Sequence, residues 1–367
     1  MTKNTIIVCG SPLQIIIAIH LCLTVYKDNM VDLVISNSSD NGGQIIENAK
    51  KSGLFRNVIH LNVKVPKKSG NNLFNKIAYS FKRLIEILEN YRTVRQISKI
   101  GKYDVLSFSN ISTFSILLYN KLLRKNKKLE LNLFEDGLSS YRWSFIDSDK
   151  PDSLHRKWIN PTGIIHNVKK LYLFNEELLE WDLPNGDTIP LEKMDIHNKL
   201  FTDEVNIVFG TSEIADKYDR KIIFFEESHF ADGFQVPDVE LVNEIANRFG
   251  KENIMVKIHP RNPVNRFAKL GYKTNTNTSI PWEAIVLNQD FSDKILVTIS
   301  SGSVIYPYLY FGIDMKSYSL LNCLDEKPGF MKGDLGTLMQ KIYDLNPDVF
   351  FAPKTMEELL NDLSHCR

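Results

Sequence analysis

Cysteine is scarce: four in 367 residues, Cys9, Cys22, Cys323 and Cys366, with no CxxC and no metal-ligand spacing. That excludes a disulfide framework and a cysteine-built metal site, and it favours a reducing compartment, the cytoplasm. Charge of one sign is lacking as well. The 45 Lys and Arg against 44 Asp and Glu leave a net charge of +1, which gives no global reason to expect nucleic acid as a partner. Long apolar runs are also missing. The N-terminal stretch from Thr5 to Tyr26 is interrupted by Gly10-Ser11-Pro12 and Gln14 and follows no cationic leader, so it reads as strand, turn and helix rather than a signal peptide or anchor. There is no internal repeat and no low-complexity tract.

What is present describes a folded chain. Hydrophobic residues make up 43% and charged residues 24%, ordinary values for a globular protein, and 367 residues exceed one ordinary core, so two domains of roughly 150 to 200 residues are expected. Apolar strand-like runs alternate with helical patterns. Strands are predicted at Ile6 to Cys9, Val31 to Ser36, Val58 to Leu61, Val105 to Phe108 and Glu130 to Phe134, with helices at Leu13 to Tyr26, Gly43 to Ser52, Leu73 to Ile100 and Ser112 to Leu123. This is a parallel sheet wrapped by helices. In the long helix, Leu73, Ile77, Phe81, Ile85, Leu88 and Ile97 fall near one face, which is predicted to pack. The segment Lys64 to Asn72 reads as a loop bordering a substrate.

Prolines 151, 161, 184 and 190 break the pattern after Tyr141, leaving one strand at Lys170 to Phe174. A second alternating block then begins: strand Lys221 to Phe225, helix Asp238 to Phe249, strand Asn253 to Ile258, helix Pro281 to Leu287, strand Lys294 to Ile299, helix Ser303 to Phe311. The expected domains are 1–200 and 201–367, two Rossmann-like α/β halves enclosing a cleft.

Polar clusters end three of these strands, where an open α/β sheet places its ligands. Glu135-Asp136-Gly137 follows Leu131 to Phe134; adjacent side chains point to opposite sides, so one carboxylate can face a substrate hydroxyl while the other holds the turn. Asp136 is the expected general base and Glu135 its support, although Asp before Gly is also ordinary turn chemistry. His259-Pro260-Arg261 follows Ile254 to Ile258; a histidine flanked by the cations Lys257 and Arg261 suits a departing phosphate. Ser300-Ser301-Gly302-Ser303 passes from strand to helix and could offer amides and hydroxyls to one anion, though a serine N-cap with a glycine turn would account for it alone. Glu226-Glu227-Ser228-His229 ends a fourth strand, and Glu226 or Glu227 is a rival base. Asp147-Ser148-Asp149 has metal-gripping spacing but reads as a solvated turn beside Lys150-Pro151.

The ordered set of Cys9-Gly10-Ser11-Pro12-Leu13-Gln14, Phe134-Glu135-Asp136-Gly137, Lys257-Ile258-His259-Pro260-Arg261 and Ser300-Ser301-Gly302-Ser303 resembles bacterial sialyltransferases. It is closest in pattern to glycosyltransferase family 52, the lipooligosaccharide and capsule enzymes, with bacterial polysialyltransferases as more distant relatives. The resemblance implies a two-domain GT-B enzyme that moves sialic acid from CMP-sialic acid to a sugar hydroxyl with inversion and without cofactor or essential metal. Asp136 would deprotonate the acceptor and His259 would assist the departing CMP. Lys257, Pro260, Arg261, Ser300, Ser301, Gly302 and Ser303 would bind the donor, while Gly10, Ser11, Pro12, Gln14 and Gly137 would line the acceptor side.

The expected partners are a nucleotide-sugar donor and a glycan acceptor. A different activated sugar, Kdo-like or hexose, and a non-catalytic saccharide-binding capsule-assembly subunit are the alternatives. Local basic clusters at Lys64, Lys67, Lys68 and at Lys121, Arg124, Lys125, Lys127, Lys128 read as solvated faces or as peripheral contact with the inner membrane. A homodimer is the other association considered.

Overall fold

Strand Asn4–Cys9 (β1) is buried at every position after its first, as a parallel strand covered on both faces must be. Its neighbour Val105–Phe108 is buried throughout in a computed structural model that describes residues 2–36, 42–61, 73–150, 154–214, 216–327 and 333–365. The predicted loop Lys64 to Asn72 and Cys366 lie outside the described residues. The chain forms two compact units, Met1–Glu192 with Lys199–Val208, and Lys193–Asn198 with Phe209–Arg367.

In the first unit β1 is joined by Met30–Ser36 (β2), Asn57–Leu61 (β3), Val105–Phe108 (β4), Glu130–Phe134 (β5), Val168–Leu173 (β6) and Asp187–Pro190 (β7). They form one parallel sheet in the order β3-β2-β1-β4-β5-β6-β7. The order reverses between β1 and β4, the switch point at which a crevice opens beyond the carboxyl ends. The helices are Pro12–Leu23 (α1), Gly42–Ser52 (α2), Leu73–Ile100 (α3), Thr113–Lys125 (α4), Trp143–Asp147 (α5), Leu154–Ile159 (α6) and Lys199–Phe209 (α7). The expected boundary after residue 200 falls inside α7, because its residues through Val208 pack into the first unit while Lys193–Asn198 belong to the second.

The second unit has strands Ile222–Phe225 (β8), Ile254–Lys257 (β9), Lys273–Thr274 (β10), Ile295–Thr298 (β11), Lys316–Ser319 (β12) and Phe350–Phe351 (β13). Its parallel order is β10-β9-β8-β11-β12-β13, with the switch point between β8 and β11. Helices Asp238–Phe249 (α8), Arg266–Lys269 (α9), Trp282–Val286 (α10), Tyr306–Phe311 (α11), Asp334–Leu345 (α12) and Met356–His365 (α13) complete it. The predicted helix from Ser303 is split: Gly302–Val304 is a short 3-10 turn and α11 starts at Tyr306.

Helix α3 departs from its predicted packing. Phe81, Ile85 and Leu88 are exposed, while Arg83, Glu86 and Asn90 on the other side are buried. The buried charges are paired, Arg83 Nη1 to Glu86 Oε2 at 2.6 Å, which lets the polar side face inward. Of the predicted stripe Ile97 is buried; the side chains of Leu73 and Ile77 lie outside the described residues. Among the described residues no helix is long and apolar enough to cross a membrane.

Candidate active site

The first unit builds its cluster from the ends of β1 and β5. Ser11 N-caps α1, its Oγ accepting from the Gln14 amide at 3.3 Å, and Pro12 occupies the first helical turn. The Gly10 amide donates to Gln14 Oε1, and a Cβ on Gly10 would meet Ser36 Oγ at 3.2 Å. The Gln14 side chain is thereby fixed, with only 2% of the residue accessible, and its Nε2 donates to Asp136 Oδ1 at 2.6 Å. Residues 122 positions apart meet because β1 and β5 lie in one sheet with only β4 between them.

Asp136 is half-buried, on a turn that its own backbone holds: its amide donates to Ser140 Oγ at 2.6 Å and its carbonyl accepts from Ser139 Oγ at 2.6 Å. Gly137, at φ +59°, supplies the left-handed residue of that turn. Burial pushes the Asp136 carboxyl above its ordinary pKa, and the Gln14 hydrogen bond pulls against the shift. Glu135 points the other way and is fully buried. Its Oε2 accepts from the Phe174 amide at 2.9 Å and from the Tyr141 hydroxyl, tying the end of β5 to the end of β6. The two carboxylates thus diverge as the alternation of side chains requires.

The second unit gathers its cluster around the β8/β11 switch point. Glu226 is buried, accepting from Arg266 Nη2 at 3.0 Å and from the His259 amide at 3.1 Å. Glu227 takes two hydrogen bonds on Oε1, from Thr298 Oγ1 at 3.1 Å and the Ser300 amide at 2.6 Å. On Oε2 it takes the Ser300 hydroxyl at 2.6 Å and meets His229 Nε2 at 3.1 Å. Burial alone would raise the Glu227 pKa; the bonds from His229 and Ser300 overcome it and hold the carboxyl low. Burial opposes a charge on His229 too, and Glu227 outweighs it, so that pKa is raised. Both rival bases are therefore committed to neighbouring side chains.

His259 is half-buried at the end of β9. Its Nδ1 accepts from the Arg261 amide at 3.2 Å, which puts the proton of the neutral ring on Nε2. Burial, then the charges of Arg261 and Lys257, lower its pKa to about 4. The histidine expected to assist a departing phosphate is thus a neutral hydrogen-bond donor at pH 7, because burial and then the flanking cations oppose its charge. Burial lowers the Lys257 pKa from its ordinary value, with the Glu283 carboxylate opposing. Arg261 is engaged with Asp232, Nη1 to Oδ1 at 3.0 Å, and with Ser228 Oγ at 2.6 Å; Pro260 is exposed beside it.

The serine turn is less open than its sequence suggests. The Ser300 amide and hydroxyl are taken by Glu227, the Ser301 amide donates to Thr298 Oγ1 at 3.1 Å, and the Ser303 amide donates to Ser301 Oγ at 3.2 Å. Ser300 therefore positions Glu227 instead of offering an anion site. A Cβ on Gly302 would lie 2.8 Å from the Tyr306 hydroxyl, so only glycine fits there without displacing that ring.

Sequence reasoning named His229 without giving it a role and missed Asp232 and Arg266. The signal for His229 was present, two residues beyond Glu227; Asp232 sits in a turn and Arg266 opens the four-residue helix α9, too short to leave a periodic signal. Asp149 is buried and accepts from Asn160 Nδ2 at 2.6 Å and the Ile164 and Ile165 amides at 3.1 and 3.0 Å, while Asp147 is exposed and pairs with Lys150. The DxD spacing thus leaves its two carboxylates with separate structural duties. Among the described residues no group of three or more His, Cys, Asp or Glu is placed to hold a metal ion. A cavity of about 420 Å³ lined by Phe230, Phe234, Pro237 and Arg266 adjoins the Glu226 pair. A larger one of about 550 Å³ is lined by residues preceding β8 and β11, at the opposite ends of those strands.

Two parallel α/β sheets with clusters at their carboxyl edges are the GT-B-like architecture expected from the sequence. Solved structures share it: UDP-GlcNAc 2-epimerase from Methanocaldococcus jannaschii in complex with UDP-GlcNAc and UDP, at 14% identity over 100% of this chain and 92% of that chain, has a TM-score of 0.55. UDP-GlcNAc 2-epimerase from Neisseria meningitidis bound to UDP-GlcNAc, at 11% identity over 99% and 91%, has a TM-score of 0.53. These likenesses are of fold alone. The chain belongs to the alpha-2,8-polysialyltransferase (POLYST) family, whose family model matches residues 5–319, and is a sialyltransferase-type glycosyltransferase. The sialyltransferase resemblance is borne out, through the branch taken as the more distant. No curated protein matches the chain in sequence.

Proposed function

We propose that the chain is an inverting, metal-independent transferase that moves sialic acid from CMP-sialic acid to a galactoside-type hydroxyl on a bacterial surface glycan, lipooligosaccharide or capsule. Family membership supports the reaction class. The family's description brings in α2,8-linked polysialic acid, so an oligosialic acid acceptor stands beside galactosides in the test. Scarce cysteine supports a cytoplasmic site of action.

The observation that carries the mechanism is the Asp136 carboxylate, raised in pKa by burial and held through one oxygen by Gln14. Among the four carboxylates of the clusters it alone is not enclosed by several donors. Asp136 takes the acceptor proton as the acceptor oxygen bonds to the anomeric carbon of sialic acid. The bond from that carbon to the phosphate oxygen breaks, and its electron pair leaves with CMP. His259 donates a hydrogen bond from Nε2 to that phosphate, and Lys257 meets the rest of its charge with the Gly302 amide and the Ser301 and Ser303 hydroxyls, since the Ser301 and Ser303 amides are already engaged. The sugar passes through an oxocarbenium-like state, so a base, a phosphate clamp and exclusion of water are the groups the reaction needs.

Release of CMP from CMP-sialic acid by purified protein tests this, in EDTA, with lactose-type acceptor, with oligosialic acid and with neither. Acceptor-stimulated release is expected. No release and no CMP binding by calorimetry would move the assignment to another nucleotide sugar, for which UDP-GlcNAc is the control donor, or to a saccharide-binding subunit.

A further inference from the structure

Helix α3 presents to solvent the side that its composition marks for burial. Phe81 is 64% and Leu88 54% accessible, with Ile85 and Tyr91 also exposed. At 100° per residue these positions share one face, and the same face continues toward the C-terminus with Arg92, Arg95 and Lys99, all exposed. The stripe carries no acidic residue. On the Tyr91 side it is bordered by more of the same chemistry, Lys121 of α4 lying over the Tyr91 ring at 5.9 Å and Lys125 of α4 donating to the Ser98 carbonyl, while the exposed Glu89 flanks its other edge. Asn120 of α4 donates to the Ile159 carbonyl at 2.8 Å, next to Trp158, which is 83% accessible.

An exposed apolar patch of this kind marks an interaction surface. The charge selects the occupant. Pairing this face with a second copy in parallel would oppose Arg92, Arg95 and Lys99 with themselves, and antiparallel pairing would press them onto Phe81 and Leu88. A bilayer with anionic headgroups meets both halves, taking aromatic and aliphatic side chains at the acyl boundary and the cations at the phosphates. We infer that α3, with the adjoining edge of α4 and α6, is a membrane-docking face that seats the protein on an anionic phospholipid surface without crossing it. The buried pair Arg83 and Glu86 keeps the opposite side of the helix attached to the unit.

Flotation of the full chain with phosphatidylcholine vesicles, with and without phosphatidylglycerol, tests the inference. Binding is expected only with phosphatidylglycerol, and should weaken with salt. Reversing Arg92, Arg95 and Lys99 to Glu removes three contacts of roughly 1 kcal/mol each, so partitioning should fall at least about a hundredfold. Phe81→Ser with Leu88→Ser should cost at least tenfold while leaving the circular dichroism melt and CMP release in solution unchanged, which separates docking from folding. Equal binding to both vesicle types, or none, overturns the inference. So does a double-serine variant that binds vesicles like wild type but turns a dimer into a monomer by light scattering, since the face would then belong to a second copy.

Discussion

Glu227→Gln keeps the side chain's size and removes its charge. Four donors converge on the two carboxylate oxygens, Thr298 Oγ1, the Ser300 amide, the Ser300 hydroxyl and His229 Nε2, all between 2.6 and 3.1 Å. A glutamine offers one acceptor oxygen and turns its own N–H groups toward the rest. With the oxygen kept toward Thr298 and the Ser300 amide, the Ser300 hydroxyl can rotate to accept, leaving the His229 donor without a partner at a local loss of about 1 to 3 kcal/mol. Hydrogen exchange of peptides covering Ile295 to Ser301 reads this directly: exchange should accelerate roughly 5- to 140-fold. The pH dependence has two limbs. The Glu227 contribution is present above its ordinary value of 4.5 and is lost as pH falls through its lowered pKa. The His229 contribution is complete below 6.5 and is lost as pH rises through its raised pKa. The difference between wild type and variant should therefore be largest between pH 4.5 and 6.5 and should narrow on either side. Exchange within threefold of wild type across that range would refute the reasoning.

Asp136→Asn should lower kcat by at least about a hundredfold and leave the CMP dissociation constant unchanged; a near-wild-type rate would return the role of base to Glu226 or Glu227. Gln14→Leu removes the hydrogen bond that opposes burial at Asp136, so the Asp136 pKa should rise further and the rising limb of kcat/KM against pH should move to higher pH. A limb that stays in place would remove Gln14 from the pair. His259→Ala should weaken CMP binding by calorimetry and slow transfer, and unchanged kinetics would exclude it from the reaction.

The strands that the sequence made legible are those with unbroken apolar runs, such as Ile222–Phe225 and Ile295–Thr298. Because α/β sheets place ligands at strand ends, Asp136, Glu226, Glu227, His259 and Ser300 could be found from the same runs. Lys316–Ser319 was hidden because Ser317 and Ser319 interrupt any apolar run, yet they are buried with their hydroxyls donating to backbone, Ser317 to Val304 and Met315 and Ser319 to Ile299. Asp187–Pro190 was masked by its proline, tolerated because β7 lies at the sheet edge. In α3 the periodicity correctly grouped Phe81, Ile85 and Leu88, but periodicity says which residues share a side and is silent on whether a buried ion pair will claim the other. The committed state of Ser300 and Glu227 was equally out of reach, since hydrogen bonds between strand ends depend on register.

The path of the chain between its units constrains any attempt to recombine them. It passes from the first unit to the second at Lys193, back at Lys199, and over again at Phe209. A single junction after Glu192 strips α7 from the fold it packs with, and one after Val208 leaves Lys193–Asn198 grafted to the wrong half, where Met194 can no longer donate to the Tyr310 carbonyl. Chimeras that exchange halves with relatives to alter acceptor choice therefore call for three matched splice points, or for relatives that share the whole segment from 193 to 208.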